Sequence, residues 1–172
     1  LTYDLVKIYE EAKKELTIGD DEITSVKKVS TLFNVMMVNF EREVTMFEGP
    51  IDAMFIDNSI GLATAGRSTE EFDEIPTVRY MFDNDETGKK KMMEKLKRGR
   101  KIFIWQKFLK ETKIENDWDL FLKNTPKNER DKYPKHIGDL NDLIIASWLT
   151  KNKCLPKIYE YFTNSKLDAY HL

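Results

Sequence analysis

Val44-Thr45-Met46-Phe47-Glu48-Gly49-Pro50-Ile51-Asp52 and Val78-Arg79-Tyr80-Met81-Phe82-Asp83-Asn84-Asp85-Glu86-Thr87-Gly88 are the stretches from which the rest of the chain can be read. Each opens with an apolar run of strand length, ends in acidic residues, and passes through a glycine into helix-like sequence. In a parallel α/β sheet the carboxyl ends of the strands open onto one crevice, where ligands bind. Glu48, Asp83 and Asp85 are therefore expected to converge despite their separation in sequence. Carboxylates held close repel one another unless a cation joins them or a proton is retained. Ligands that are all oxygen suit a hard divalent cation, Mg²⁺ or Mn²⁺. The residues alone thus point to a metal-dependent phosphoryl-transfer site.

Working outward, Leu5, Ile8, Tyr9, Ala12 and Leu16 fall at helical spacing, and Gly19-Asp20-Asp21 breaks that helix. Leu32 to Phe40 is too continuously apolar for periodicity to choose between strand and short helix. Asn39 to Glu43 reads as a turn into the strand that ends at Glu48. Pro50 suits a first helical turn, with Ile51, Met54 and Phe55 on one apolar face and Asn58 as the stop. A second strand is expected over Ile60 to Ala65, and a short acidic helix over Ser68 to Phe72, capped by Ser68. A third strand runs from Thr77 to Phe82. Thr87 to Arg98 reads as a helix with Met92, Met93 and Leu96 inward and Gly99 as its terminator. Lys101 to Trp105 supplies a fourth strand. The alternation predicts an α/β fold, a four-stranded, mainly parallel sheet flanked by helices. Beyond residue 106 the pattern weakens. Asn124 to Lys132 reads as an exposed loop, Leu140 to Leu149 as a helix with Leu143, Ile144 and Trp148 on one face, and Pro156 to Phe162 as the start of a last helix. The organisation expected is a helical lead-in over 1–29, a core over 30–106 and a helical C-terminal extension over 107–172.

The 172 residues suit one domain, and 41% hydrophobic with 34% charged residues is ordinary for a globular protein. A formal net charge of −2 excludes nucleic-acid binding through bulk charge, so such contact needs a local patch. Cys154 is the sole cysteine, which excludes an internal disulfide framework and a cysteine zinc site and fits a reducing, cytoplasmic setting. No apolar run approaches the roughly 20 residues of a membrane-spanning helix, so no membrane association is expected. The chain opens on Leu1 rather than methionine, as a piece of a longer protein would.

Each acidic cluster also has a structural reading. A glutamate closing a strand is usually solvated, but Gly49 directly after Glu48 lets backbone and ligand approach closely. Asp52 either complements a helix dipole or supports the metal. One of Asp83 and Asp85 suits the cap of the helix that follows, and Asp139 or Asn141 suits the cap of the next one. Asp139 and Asp142 could instead reach the crevice as further ligands. The basic run Lys89, Lys90, Lys91, Lys95, Lys97, Arg98, Arg100 and Lys101 is either a solvated helix face or, because its helix starts beside the acidic site, a phosphate-contacting one. His136 and His171 have no partners at metal-ligand spacing, and Trp105, Trp118 and Trp148 read as core or edge anchors.

With a glutamate at one strand end and Asp83-x-Asp85 at another, the sequence resembles a TOPRIM domain, the catalytic module of bacterial-type primases, type IA and type II topoisomerases and some nucleases. Glu48-Gly49-Pro50-Ile51-Asp52, Phe82 to Gly88 and Asp139-Leu140-Asn141-Asp142 resemble, in order and spacing, the three acidic motifs of primases, most closely those of large tailed phages. The match spans about residues 30–150. The resemblance implies a Rossmann-like TOPRIM fold and RNA primer synthesis on a single-stranded DNA template from ribonucleoside triphosphates, beside a hexameric replicative helicase, in the host cytoplasm if phage-encoded. It implies Glu48, Asp83 and Asp85 as catalytic residues and metal ligands. Asp52, Asp139 and Asp142 would complete the shell, and Lys89, Lys90 and Arg98 would lie toward nucleotide or nucleic acid. The zinc-binding module and basic template-holding subdomain of such primases are not visible, and Asn141 stands where many relatives place a second acid. A TOPRIM-type nuclease and a non-catalytic nucleic-acid-binding or assembly module are the alternatives. A topoisomerase would need a longer chain.

Overall fold

The computed structural model describes residues 31–63 and 68–168. The helix expected over residues 1–16, the break at Gly19-Asp20-Asp21 and the last two residues of the expected Ile60–Ala65 strand lie outside them. Among the described residues six strands form one sheet. They are β1 (Leu32–Phe33), β2 (Val44–Phe47), β3 (Ser59–Leu62), β4 (Val78–Tyr80), β5 (Lys101–Phe103) and β6 (Phe162–Thr163), in the order β1-β3-β2-β4-β5-β6. The inner four pair in parallel, while β1 and β6 add antiparallel edges. The expected parallel sheet is therefore present, widened by two edge strands only two residues long. Every residue of β2, β3 and β4 is buried, as a sheet covered on both faces requires.

The helices are α1 (Pro50–Ala53), α2 (Glu86–Lys97), α3 (Trp105–Thr112), α4 (Ile114–Asn124), α5 (Lys127–Arg130) and α6 (Leu140–Thr150), with 3₁₀ turns at Val35–Met37, Glu70–Phe72 and Leu155–Tyr161. The crossover through α1 carries the chain from β2 outward to β3, and the crossover through α2 carries it from β4 outward to β5. These two connections leave in opposite directions from neighbouring strands. The carboxyl ends of β2 and β4 therefore flank a topological switch point, the place where open α/β sheets bind ligands. Glu48 follows β2 and Asp83 lies three residues after β4.

One buried cluster joins the sheet to the C-terminal helices. It includes Met46, Tyr80, Met92 and Ile102 from the sheet region and Trp105, Trp118, Leu140 and Leu143 from beyond residue 104. Trp105, expected to close a strand, opens α3 instead, and its indole N–H donates to the Phe82 carbonyl at 2.7 Å. That bond satisfies a carbonyl at the end of the β4 segment just before Asp83. The boundary expected near residue 106 is thus bridged by core packing, and β6 returns from the extension to edge the sheet.

Several local expectations need correction. Ile51, Met54 and Phe55 point to solvent, at 58%, 69% and 48% exposure. The inner side of the one-turn helix α1 is taken by Asp52 and Ala53. Met93 also lies outward, and Lys95 takes the inward place because its ammonium meets buried Asp73 at 2.7 Å. The expected Asn124–Lys132 loop contains α5, and the expected helix at Ser68 to Phe72 is a 3₁₀ turn. The apolar segment after Thr31 resolves into β1 and a 3₁₀ turn rather than one element. Asn58, expected as the helix stop, lies five residues beyond the end of α1 at Ala53; it sits at φ 53° directly before β3, and its side-chain amide donates to the carbonyls of Asn39 and Glu43. Gly99, at φ 77°, follows the end of α2 as expected.

Gly61 sets how closely α1 lies on the sheet. A Cβ there would stand 2.5 Å from the Gly49 carbonyl oxygen and 2.6 Å from the Pro50 Cα. Both neighbours are backbone and cannot swing aside. Gly61→Ala is expected to lower the free energy of unfolding by about 1–3 kcal/mol, measured by urea denaturation, through overpacking.

Candidate active site

Asp83 is the centre of the site. Its carboxyl is pushed up to about 7, first by burial and then by the charges of Glu48, Asp52, Asp139 and Asp85. Five carboxyl groups from three separated segments therefore stand within electrostatic reach of one point at the switch between β2 and β4. Asp52 is pushed up to about 6, by burial and by the charge of Asp139, against the stabilising Asn141 N–H.

Backbone bonds between the segments hold this arrangement together. The Asn141 N–H donates to Asp52 Oδ1 at 2.9 Å, tying the start of α6 to α1. The Asn84 N–H donates to the Gly138 carbonyl at 2.6 Å, and its side-chain amide donates to the Ile137 carbonyl at 3.0 Å. Asn84 thus clamps the Asp83–Asp85 loop to the turn before Asp139. In the sequence the only signal for this role of Asn84 is its place between the two aspartates. Gly88 makes a second close fit, since a Cβ at that position would overlap the Asp83 carbonyl oxygen. Helix α2 can start directly over the Asp83 backbone only because residue 88 has no side chain.

The remaining acids are divided between capping and the site. Asp85 caps α2, its Oδ1 accepting from the Gly88 N–H at 2.7 Å. Asp139 caps α6 by accepting from the Asp142 N–H at 2.7 Å. Asp142 Oδ2 accepts from the Gly138 N–H at 3.0 Å, so this carboxylate turns back on its own turn. Its pKa is raised by burial and by Asp139, and its charge in turn raises Asp52.

Glu48 is held by a cation. Lys91 Nζ lies 2.5 Å from Glu48 Oε2, while Glu48 Oε1 is buried with no hydrogen-bond partner. Lys91, on the inward side of α2, belongs to the basic run, but its place opposite Glu48 was not expected. Of the basic residues assigned to nucleic acid, Lys89 lies 3.9 Å from Glu86 and Lys90 is exposed. Arg98 is engaged elsewhere, bonding Asp73 and Glu70 at 2.7 Å each. Burial alone would raise the Asp73 carboxyl, but hydrogen bonds from Lys95, Tyr80 and Arg98 outweigh it and hold it below its usual range. That buried network locks α2 to the turn at Glu70–Phe72, and it fixes the angle at which α2 meets the site.

Among the described residues no three His, Cys, Asp or Glu side chains form a ready-made coordination group. The bonds above explain why: Glu48 faces Lys91, and Asp85 and Asp139 face backbone N–H groups. The donor chemistry nevertheless fits a hard cation, with the carboxylates of Glu48, Asp52, Asp139 and Asp85 acting on Asp83 and an unpartnered buried oxygen on Glu48. No protein-family model matches the chain, and no curated protein is significantly similar to it in sequence. Among the described residues no helix is long and apolar enough to cross a membrane.

The raised carboxyls have a consequence for stability. A carboxyl that binds its proton more tightly in the folded state stabilises the fold at low pH, and loses that contribution as pH rises through its folded pKa. For Asp83 the window runs from 3.8 to about 7. Asp83→Asn is therefore expected to stabilise the metal-free protein by about 2 kcal/mol at pH 8 and to have little effect at pH 4, in thermal melts with chelator present. Equal effects at the two pH values would show that Asp83 is not under this repulsion.

Proposed function

We propose that this chain is the catalytic domain of a TOPRIM-type primase, which joins ribonucleotides into a primer on single-stranded DNA. The observation that carries this reading is the gathering of Glu48, Asp52, Asp85 and Asp139 around Asp83. They come from the three acidic motifs, in the order primases have them, at a sheet switch point. A nuclease of the same type would use a similar acidic set. The joining of the third motif to the other two through Asn84 and Asp52 favours the primase reading.

In this reading Asp83, Asp85 and Glu48 would hold Mg²⁺ or Mn²⁺, with Asp52 and Asp139 beside them. The cation would neutralise substrate phosphates and lower the pKa of the attacking primer hydroxyl. The chain's own residues contribute placement and charge. Asn84 fixes the loop that carries Asp83 and Asp85. Lys91 holds the Glu48 carboxylate in place through their ion pair. Lys89 and Lys90, one turn into α2, are the basic groups left to meet phosphate, because Arg98 serves the Asp73 network. Single-stranded template, ribonucleoside triphosphates and a hexameric helicase are the partners this reading assigns.

Supplied with single-stranded DNA, labelled ribonucleotides and Mg²⁺ or Mn²⁺, the chain is expected to incorporate label. Asp83→Ala and Asp85→Asn should each reduce incorporation by about 100-fold or more without loss of thermal stability, asparagine keeping the cap of α2. Strand nicking without incorporation would shift the assignment to a nuclease. Lys91→Met gives a separate readout. Freed of its ammonium partner, Glu48 should let Mn²⁺ bind about tenfold more tightly in calorimetry, since tenfold corresponds to about 1.4 kcal/mol of released pairing. The metal-free protein should be less stable in the same variant.

A further inference from the structure

The far end of α6 carries a surface that the acidic site does not use. Trp148 is 79% exposed, whereas Trp105 and Trp118 are each only 1% exposed. The spacing of Trp148 from Leu143 and Ile144 predicts one shared face. Leu143 is in the core, but Trp148 falls outside it. It forms one wall of an open groove of about 840 Å³ between α6 and the 3₁₀ turn at Leu155–Tyr161, with Ile144, Leu155 and Pro156 along its floor. Such an indole beside aliphatic side chains is a large apolar area that the described residues leave without cover.

The rim of the groove has a single sign of charge. Lys151 and Lys153 line it, and no aspartate or glutamate does. Neither lysine makes a salt bridge among the described residues, in a chain whose net charge is −2. Lys151 is moreover held at φ 58°, where it ends α6 in a left-handed conformation that asparagine or glycine adopts more readily. An aliphatic floor, one aromatic wall and unpaired cations on the rim match an acidic peptide with apolar anchors. Nucleic acid fits less well, because stacked bases need several aromatic faces and the groove offers one.

We propose that this groove docks an acidic peptide segment of a partner protein, with one or two bulky apolar side chains packing on Trp148, Ile144 and Leu155, and with carboxylates meeting Lys151 and Lys153. The proposal is independent of the chemistry assigned to the acidic site, since it uses the opposite end of α6.

Trp148 is also the reporter, being the exposed one of the three tryptophans. The test titrates the whole chain with a capped nonapeptide, Glu-Asp-Leu-Glu-Asp-Phe-Leu-Asp-Glu, following tryptophan emission and calorimetry. Expected is a saturable blue shift with Kd on the order of 10 μM, weakened about tenfold or more by 0.5 M NaCl. Lys151→Asn, which suits the left-handed backbone, and Lys153→Gln should each weaken binding severalfold with unchanged melting temperature. Trp148→Ala should abolish the calorimetric signal. The proposal is overturned by no saturation at 1 mM peptide, or by equal binding of a peptide with serine in place of leucine and phenylalanine. It is equally overturned if oligothymidylate binds this face more tightly than the peptide, or if the chain dimerises through Trp148 and excludes the peptide.

Discussion

Repulsion among carboxylates is the constraint to which the rest of this architecture answers. Bringing Glu48, Asp52, Asp85 and Asp139 around a half-buried Asp83 raises that group to about 7, a shift that opposes folding at neutral pH. A fold can retain such a cluster only if other interactions fix it. Here they are short and specific: the Asn84 clamp, the Asn141–Asp52 bond, the two helix caps and the Lys91–Glu48 pair. Clustered strain of this kind is characteristic of sites that bind or react.

Successive turns along one face of α2 show how the same helix serves stability and site together. Lys95 and Arg98 satisfy buried Asp73, whose carboxyl also accepts from the Tyr80 hydroxyl at 2.5 Å. One turn nearer the N-terminus, Lys91 meets Glu48. The lysines that look alike in sequence therefore have different duties, set by which acid lies across from each. The Asp73 network loses its contribution as pH falls into the carboxylate range, whereas the Asp83 cluster loses its own as pH rises. Stability of the metal-free chain is bounded from both sides.

Much of the fold was legible because it depends on local pattern. Apolar runs of strand length, Pro50 at a helix start, Gly99 at a helix end and the alternation of strands with helices were enough for a parallel α/β core. The first two acidic motifs were legible for the same reason, each following an apolar run of strand length and passing through a glycine, and the third by its place at the start of a helix. What escaped were assignments that depend on a partner distant in sequence. The face of α1 was misjudged because Gly61, eight residues downstream of α1, brings its backbone against β3 and leaves only Asp52 and Ala53 inside. Lys95 was misjudged because burying a lysine requires an acid such as Asp73, and nothing near Lys95 in sequence announces one.

By itself the sequence determined which residues can form strands and helices, and which acids sit at strand ends, because both follow from side-chain periodicity and turn chemistry. Tertiary structure alone decided the strand order β1-β3-β2-β4-β5-β6, which makes Glu48 and Asp83 neighbours. It also decided that Asn84 joins the second motif to the third, and that Lys91 rather than Arg98 faces the site. The reason is that charge and hydrogen bonding act across space. A carboxyl's protonation is set by the groups the fold brings beside it, and those come here from residues 48 to 139.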